Sequence, residues 1–273
     1  MLTHLIVKNK VIIITGASSG IGEACAINFS KRGANLILAA RSEEKLKLLC
    51  EKLNTNSVSS FYCVADVSIK SDCKKLIEFA VNKYGRIDIL VNNAGISMRA
   101  LFEDVSLDVF DKLMKVNFYG AVYCTKYALP YVLKNKGSIV GVSSIAGHKG
   151  LPGRTAYSAS KFALQGFLEA LRIENLKKGL HVLIACPGFT SSNIRKKALS
   201  ANGETQSESP RKEQKMMTSK EVSNHIAIAI NNRKNSIVLS RNGKLTVFLN
   251  KFFPKWVDSL VFKHMSKEPG SPF

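Results

Sequence analysis

Cysteine is sparse in this chain of 273 residues, and no two cysteines form a C-x-x-C pair. Zinc sites and small disulfide frameworks need closely spaced or paired cysteines. The scattered positions instead indicate small buried side chains in a reducing compartment, and we predict no metal site. The six cysteines are Cys25, Cys50, Cys63, Cys73, Cys124 and Cys186.

Long apolar runs are also missing. No stretch reaches the ~18 uninterrupted apolar residues of a membrane span. The first ten residues, MLTHLIVKNK, lead directly into a strand-like run, without the apolar segment and cleavage site of a secretory signal. We expect a soluble, cytoplasmic protein, and we keep membrane association of the C-terminal segment as an open alternative.

Acidic residues are few relative to basic ones. The chain has 20 Asp and Glu against 40 Lys and Arg, so its net charge is +20. Such a charge attracts nucleic acid, anionic lipid or phosphorylated ligands. No aromatic-interleaved basic motif, zinc motif or basic recognition helix is visible, so we predict a solvated cationic surface without specific nucleic-acid recognition.

Short apolar runs alternate with amphipathic helical stretches along most of the chain. This alternation is typical of a parallel sheet covered by helices on both faces, so we predict a doubly wound α/β fold of the Rossmann type with three layers, α/β/α. A single domain would span 1–240, with a mobile loop at 191–218, and an amphipathic extension would span 241–273. The predicted strands are 11–15, 36–39, 61–64, 87–91, 139–142, 181–185 and 237–239. The predicted helices are 21–32, 42–53, 69–84, 106–135 (one long helix or a pair), 157–175 and 219–231.

A glycine-rich turn, TGASSGIG at positions 15–22, follows the first predicted strand and opens the first helix. Gly16 permits a tight turn, Gly20 lets backbone approach a pyrophosphate, and Gly22 lets the helix pack closely on the strand. The free N–H groups at the helix start then face the phosphates. We therefore predict a dinucleotide site here, which also includes Ser18, Ser19 and Ile21.

The end of the second strand bears on the choice between NAD and NADP. An acidic residue at this place would accept a hydrogen bond from the ribose 2′-hydroxyl of NAD. The chain has Ala40 there, followed by Arg41. Because a guanidinium pairs with a 2′-phosphate and no carboxylate repels it, we predict NADP (NADPH) as the cofactor, with NAD as the less favoured alternative.

A tyrosine, a lysine and a serine form the candidate catalytic group. Tyr157 and Lys161 are four residues apart at the head of a predicted helix, so they share one helix face. A nearby ammonium favours the phenolate and lowers the pKa of the phenol, which suits Tyr157 for proton transfer. Ser144 follows the fifth strand, where its hydroxyl can bond to a reacting oxygen.

Taken together, these motifs resemble those of the short-chain dehydrogenase/reductase family, in its single-domain form, over about residues 9–240. The motifs that carry the resemblance are TGASSGIG at 15–22, Asp66 with Val67, NNAG at 92–95, Asn117, Ser144, Tyr157 with Lys161, and Pro187 with Gly188. The extension and its KEPGSPF ending are similar to the member-7/7B-like branch of that family.

The resemblance implies further roles. Asp66, with Val67, would contact the adenine, and the segment from Asn92 through Asn93 and Ala94 to Gly95 would line the adenosine side. Asn117 would kink its helix and hold a water that passes protons to Lys161, which would also bind the nicotinamide ribose. Around the nicotinamide ring would lie Pro187, Gly188, Thr190 and Ser192.

The C-terminal segment mixes aromatic residues with lysines, and Pro254 is expected to break or kink any helix there. This pattern fits packing onto the domain, contact with anionic lipid through 244–265, a lid over an apolar pocket, or a subunit contact. All four alternatives stay open at the sequence level.

The implied activity is hydride transfer between a nicotinamide and a carbonyl or secondary alcohol. We expect segments 97–102, 147–154 and 191–218, with the C-terminal aromatics, to shape a pocket for a medium-sized apolar substrate. The family habit implies a homodimer or homotetramer. Two rivals remain: a nucleotide-binding sensor or scaffold without turnover, and a basic membrane- or nucleic-acid-associated protein with a vestigial site.

Overall fold

The computed structural model describes residues 7–54, 58–206 and 216–273. The strands of its seven-stranded sheet are β1 (Val11–Thr15), β2 (Asn35–Ala40), β3 (Ser60–Val64), β4 (Ile89–Asn92), β5 (Ser138–Val142), β6 (His181–Cys186) and β9 (Ser236–Val238). The sheet is parallel throughout, in the order β3-β2-β1-β4-β5-β6-β9. Two further short strands, β7 (Thr190–Ser191) and β8 (Met217–Thr218), pair with each other.

Helices connect these strands. They are α1 (Gly20–Lys31), α2 (Glu43–Leu53), α3 (Lys70–Tyr84), α4 (Leu107–Met114), α5 (Gly120–Lys134), α6 (Thr155–Glu174), α7 (Ser219–Asn231), α8 (Arg241–Phe252) and α9 (Pro254–Met265). The predicted elements agree with these bounds to within two residues at most ends. The predicted long helix 106–135 is divided into α4 and α5 by a π-helical turn at Lys115–Tyr119.

Core packing explains the three layers. In β1 the side chains alternate between the two faces of the sheet, with Ile12 and Ile14 in one apolar cluster and Ile13 in the other. The first cluster contains residues of α1, α2 and α7, and the second contains residues of α3, α5 and α6. Because both faces are covered, the strands consist of nearly continuous apolar residues, and the predicted doubly wound α/β fold is confirmed.

Helical periodicity places the buried faces. In α2 the buried residues lie at positions 46, 49, 50 and 53, and in α3 at 73, 76, 77 and 80. Both sets follow the i, i+3, i+4, i+7 spacing of one apolar stripe. Gly85, in the left-handed conformation with a φ of 68°, ends α3.

The strand order reverses between β1 and β4, which are neighbours in the sheet although β2 and β3 lie between them in sequence. In open α/β sheets, such a switch point leaves a crevice at the carboxyl ends of the strands, and ligands bind there. The candidate site lies in this crevice.

Candidate active site

A cavity of about 1060 Å³ lies along the carboxyl edge of the sheet. It extends from the ends of β2 and β3, past the turn after β1, to the head of α6 and the helices α8 and α9. Of the residues predicted for the cofactor and for catalysis, all line this cavity except Gly22, Asn92 and Asn117. The fold thus brings predicted residues from seven separate segments to one cavity.

The glycine turn is sterically determined. Gly16 has a φ of +65°, and a Cβ added there would lie 2.8 Å from the Cα of Ala94. At Gly22 a Cβ would lie 2.3 Å from the carbonyl oxygen of Gly16. Gly22 therefore acts by letting α1 approach the turn, while Ser18, Ser19, Gly20 and Ile21 face the cavity.

Thr15 and Asn93 join the ends of β1 and β4. The Thr15 hydroxyl accepts hydrogen bonds from the backbone N–H groups of Asn93 (3.0 Å) and Ala94 (3.1 Å). The Asn93 side-chain amide donates to the carbonyl oxygens of Thr15 (2.9 Å) and Gly16 (3.2 Å). These bonds fix the floor of the crevice, a role for Thr15 that the sequence motif alone did not reveal.

The side chain of neighbouring Asn92 points away from the cavity and donates to Thr125 of α5.

At one end of the cavity, Arg41 and Asp66 face each other. The Arg41 guanidinium lies 3.8 Å from Oδ2 of Asp66, and its side chain is 66% exposed. The other carboxylate oxygen of Asp66 accepts from the backbone N–H and the hydroxyl of Ser68. The Arg41 side chain is largely exposed, so its guanidinium is accessible to an anion at this end of the cavity, which Val67 also lines.

Tyr157 and Ser144 both lie on the wall of the cavity. Ser144 caps the short helical turn after β5, where its oxygen accepts from the N–H of Ala146 at 3.1 Å. The Ser144 hydroxyl and the Tyr157 phenol both line the cavity, and Ser144 is close enough to lower the pKa of the phenol.

The pKa of Tyr157 departs from the expected direction. Burial raises it above its usual value of 10.0, and the Ser144 hydrogen bond and the charges of Arg154 and Arg195 offset only part of this effect. The lowering that we expected from Lys161 is therefore wrong for the protein by itself. Neither arginine is predicted individually from the sequence, although the pocket segments 147–154 and 191–218 contain them. Arg154 lies only three residues before Tyr157, which was a usable signal, whereas Arg195 comes from the loop after β7.

Lys161 is almost completely buried at the back of the cavity. Its ammonium donates to the carbonyl oxygen of Val142 at 2.8 Å and lies 5.7 Å from the ring centre of Tyr157. Burial lowers the pKa of Lys161 to about 8. This makes Lys161 a group that can exchange its proton near neutral pH.

Asn117 lies in the π-helical turn between α4 and α5. Its side chain accepts from the N–H of Ile96 (2.8 Å) and donates to the carbonyl oxygen of Ile96 (3.0 Å) and to Ser160 (2.9 Å). A Cβ on Gly95 would lie 3.3 Å from the Asn117 amide oxygen and 3.5 Å from the Lys161 ammonium. Asn117 therefore lies behind the cavity wall, close to Lys161.

The segment after β6 closes the cavity on its far side. Pro187, Gly188, Thr190 and Ser192 all line it. The Thr190 hydroxyl donates to the carbonyl oxygen of Gly188 (3.1 Å), and Arg195 donates to that of Thr190 (2.8 Å). This turn holds two hydroxyl groups and the Arg195 charge on one wall.

The C-terminal helices complete the cavity, but not through their aromatic residues as expected. The wall consists mainly of aliphatic residues of α8 and α9, and Phe248, Phe252 and Trp256 do not contribute to it. The lining residues from these helices are Asn242, Gly243, Leu245, Thr246, Leu249, Val257, Leu260, Val261, His264 and Met265. The segment therefore covers the cavity in the way that a lid does.

These residues fit a nicotinamide dinucleotide. The glycines of the turn after β1 carry no side chain, so the backbone of the turn can approach a pyrophosphate closely. Parallel strands, a glycine turn at a helix N-terminus and a crevice at the switch point define the class of α/β nucleotide-binding proteins.

Comparison with known proteins identifies the family. Residues 10–203 match the short chain dehydrogenase family, and the chain belongs to it. It is similar to the 11-beta-hydroxysteroid dehydrogenase-like 4A of Arabidopsis thaliana, with 44% identity over 188 residues. The match covers 67% of this chain, and the chain spans about three fifths (62%) of the length of that relative.

Two solved structures share the fold. A short chain dehydrogenase/reductase of Burkholderia phymatum, in complex with NAD, has a TM-score of 0.81 at 23% identity and covers 92% of this chain and 95% of its own. An alcohol dehydrogenase of the archaeon Thermococcus sibiricus, complexed with 5-hydroxy-NADP, has a TM-score of 0.75 at 24% identity and covers 84% and 95%.

Proposed function

We propose that this chain is an NADP(H)-dependent oxidoreductase that acts between a carbonyl group and a secondary alcohol. The placement of Ser144 and Tyr157 carries this proposal, because both side chains line the same cavity as the glycine turn. A bound nicotinamide supplies or accepts the hydride. The protein must then deliver or remove one proton at the substrate oxygen.

Tyr157 is the proposed proton donor in reduction. Its pKa is raised by burial, so the phenol is protonated at neutral pH and can give its proton to the oxygen of a carbonyl as that oxygen gains charge. The Ser144 hydroxyl donates a hydrogen bond to the same oxygen and stabilises the charge. Lys161, with its pKa lowered to about 8, is the proposed group that returns a proton towards Tyr157, and Asn117 positions the segment beside it.

The proposed substrate is medium-sized and apolar. Beyond Tyr157 the cavity wall carries Leu151, Leu249, Val257 and Val261, and this lining favours burial of a hydrocarbon body. The similarity to a plant protein named for a hydroxysteroid dehydrogenase agrees with a substrate of this size.

The test is turnover of NADPH with a panel of steroid, retinoid, acyl and quinone carbonyls. We expect Tyr157→Phe to lower kcat/KM by about 10²–10⁴-fold with NADPH binding unchanged, because only proton transfer is removed. Tyr131→Phe is the control, since Tyr131 is a partly exposed phenol of α5 outside the cavity. Tight NADPH binding without oxidation across the panel would instead support a sensor or scaffold.

Arg41 is the proposed determinant of NADP over NAD. It lies at the end of β2 on the cavity wall, next to Ala40, where a carboxylate would favour NAD. We expect Arg41→Gln to reduce the ratio of kcat/KM for NADPH over NADH by about 10–100-fold, the size of a charge-assisted contact. Lys47→Gln removes the same charge from an exposed residue of α2 outside the cavity and should leave the ratio unchanged. An unchanged ratio in the Arg41 variant would contradict the assignment.

A further inference from the structure

An exposed aromatic surface lies on the outer side of the two C-terminal helices. Its members, Phe248, Phe252, Phe253, Trp256 and Phe262, are each 53–63% exposed. Three of them form a continuous group, with ring centres 5.4 Å apart for Phe248 and Phe252 and 6.5 Å apart for Phe252 and Phe253. We call these five residues the aromatic face. Contiguous exposed aromatic side chains mark an interaction site, because scattered apolar residues are normal on a surface and large patches are not.

The helices are held so that this face must point outward. On the inner side, Val257 and Met265 are buried, at 3% and 2% exposure. Gly243 packs so closely on Ile145 that an added Cβ would lie 2.7 Å from it. Asp258 pairs with Lys149 of the body. These inner contacts attach the two helices to the body through residues other than those of the aromatic face.

The charge around the aromatic face is almost entirely positive. Lys244, Lys251, Lys255 and Lys263 are all exposed on the same two helices. Asp258 is the single acidic residue between positions 241 and 265, and its carboxylate is paired with Lys149. The rim of the face thus adds local positive charge to a chain whose net charge is already +20.

We propose that the aromatic face binds the surface of an anionic phospholipid bilayer. Aromatic rings fit the boundary between headgroups and acyl chains, while lysines beside them pair with anionic headgroups.

A second copy of the chain fits less well, because an isologous contact would bring the same lysines of both subunits together. No helix in the described part of the chain is long and apolar enough to cross a membrane, and α8 and α9 have 12 residues each. The helices therefore lie along the bilayer surface.

This placement joins the lipid surface to the cavity. Leu245 and Leu260 line the cavity and are also exposed, at 56% and 44%, so the same two helices contact both the interior and the outside. For a substrate dissolved in the bilayer, the path into the cavity runs between them. Only this consequence rests on the proposed function, whereas lipid binding itself does not depend on turnover.

Trp256 gives a direct test, since it is the only tryptophan of the chain and belongs to the aromatic face. The full chain is titrated with vesicles of phosphatidylcholine, with and without phosphatidylserine. We expect a blue shift and a gain in Trp256 fluorescence with the anionic vesicles, and weakening of the binding by salt. An unchanged spectrum with anionic vesicles, in protein that still melts cooperatively, would overturn the proposal.

Two matched pairs of variants test the two parts of the surface by co-sedimentation with the anionic vesicles. Phe252→Ser with Phe262→Ser should weaken binding by at least about tenfold, whereas Ile173→Ser with Leu176→Ser, at residues equally exposed elsewhere, should not. Lys251→Glu with Lys255→Glu should weaken binding more than Lys177→Glu with Lys178→Glu, which change the net charge equally. Equal losses in test and control pairs would show a nonspecific effect of charge or folding and would refute the assignment.

Two further measurements separate the alternatives. Tyr157→Phe should bind vesicles as the unchanged protein does, so failure of the proposed activity leaves this result intact. In size-exclusion chromatography, Phe252→Ser with Phe262→Ser should elute as the unchanged protein does. Suppose instead that the unchanged protein is an oligomer that does not bind vesicles, and that this double variant elutes as a smaller species. The aromatic face is then a contact between copies, and the lipid assignment is wrong.

Discussion

At the scale of single residues, the pKa of Tyr157 depends on opposed effects, of which burial is the largest. Burial favours the neutral phenol, while the hydrogen bond from Ser144 and the two arginine charges favour the phenolate. Burial prevails, so the phenol pKa lies above its usual value. A protonated Tyr157 suits carbonyl reduction, and it means that the reverse oxidation should accelerate as the pH rises.

The Ser144 contribution can be measured from the pH dependence of alcohol oxidation. Because the Ser144 hydrogen bond lowers the phenol pKa, Ser144→Ala should raise that pKa and move the rising limb of the pH profile to higher pH. The same change should lower kcat/KM by about 10²–10³-fold, the usual cost of losing one donor to a developing negative charge. Ser143→Ala serves as the control, since Ser143 bonds to the backbone of Lys161 and to Gln165. If the rising part of the pH profile does not move in the Ser144 variant, Ser144 does not lower the pKa of Tyr157.

At the scale of elements, the cofactor end of the cavity depends on how closely α1 approaches β1. The glycine turn, the end of β4 and the first turn of α1 are in contact through Gly16, Gly22 and Asn93. The local sequence predicts a turn here, but the close approach needs all three segments at once.

Gly22→Ala tests this packing. The added Cβ would lie 2.3 Å from the Gly16 carbonyl oxygen and 2.5 Å from the Asn93 amide nitrogen, so α1 must move away. We expect a loss of about 1–3 kcal/mol in the free energy of unfolding, as for overpacked cores. NADPH binding should weaken by about 10–100-fold if the helix start contributes about 1.4–2.7 kcal/mol to it. Chemical denaturation and a fluorescence titration measure the two effects.

Gly166→Ala is the matched control in another helix. Apart from its chain neighbours and the backbone of its own helix, no atom of the described residues lies within 4 Å of a Cβ added at Gly166, which is exposed in α6. The change should leave NADPH binding as it is and stabilise the protein by up to ~1 kcal/mol, the usual gain of alanine over glycine in a helix. Similar binding losses in both variants would refute the packing argument.

At the scale of the whole molecule, the C-terminal segment is tied to the domain through charged groups that are far apart in sequence. Glu268 is buried, with Oε2 3.1 Å from Arg154 and 3.9 Å from Arg99. Arg99 also donates to the carbonyl oxygen of Pro269 at 2.6 Å. The segment after α9 is thereby attached next to the head of α6, which carries Tyr157.

Buried and exposed ion pairs should differ strongly in this attachment. Glu268→Gln leaves two arginines beside a neutral group, and we expect it to cost about 3 kcal/mol, as when one partner of a buried pair is removed. Asp258→Asn breaks the pair with Lys149, but the Asp258 side chain is 66% exposed, so the cost should stay below ~1 kcal/mol. Urea denaturation gives both values, and hydrogen exchange over 254–273 should accelerate in the Glu268 variant alone. Equal effects of the two changes would contradict the buried attachment.

Several features were determined by the sequence itself, because they depend on neighbouring residues. The β-branched run of β1, the i, i+3, i+4, i+7 stripe of α2 and the glycines of the turn each specify a local conformation and the face that is buried. Since Tyr157 and Lys161 are four residues apart, their common helix face also followed from spacing alone.

Only the tertiary structure decided how distant segments meet. The Val142 carbonyl that holds Lys161, the Arg195 charge near Tyr157 and the pairing of Glu268 with Arg154 join residues from different elements, in the last case 114 positions apart. The same holds for α8 and α9, where the sequence showed an aromatic and lysine-rich segment but not which side would cover the cavity. Sequence periodicity fixes a side chain relative to its own helix, whereas the choice of neighbour depends on the packing free energy of the complete chain.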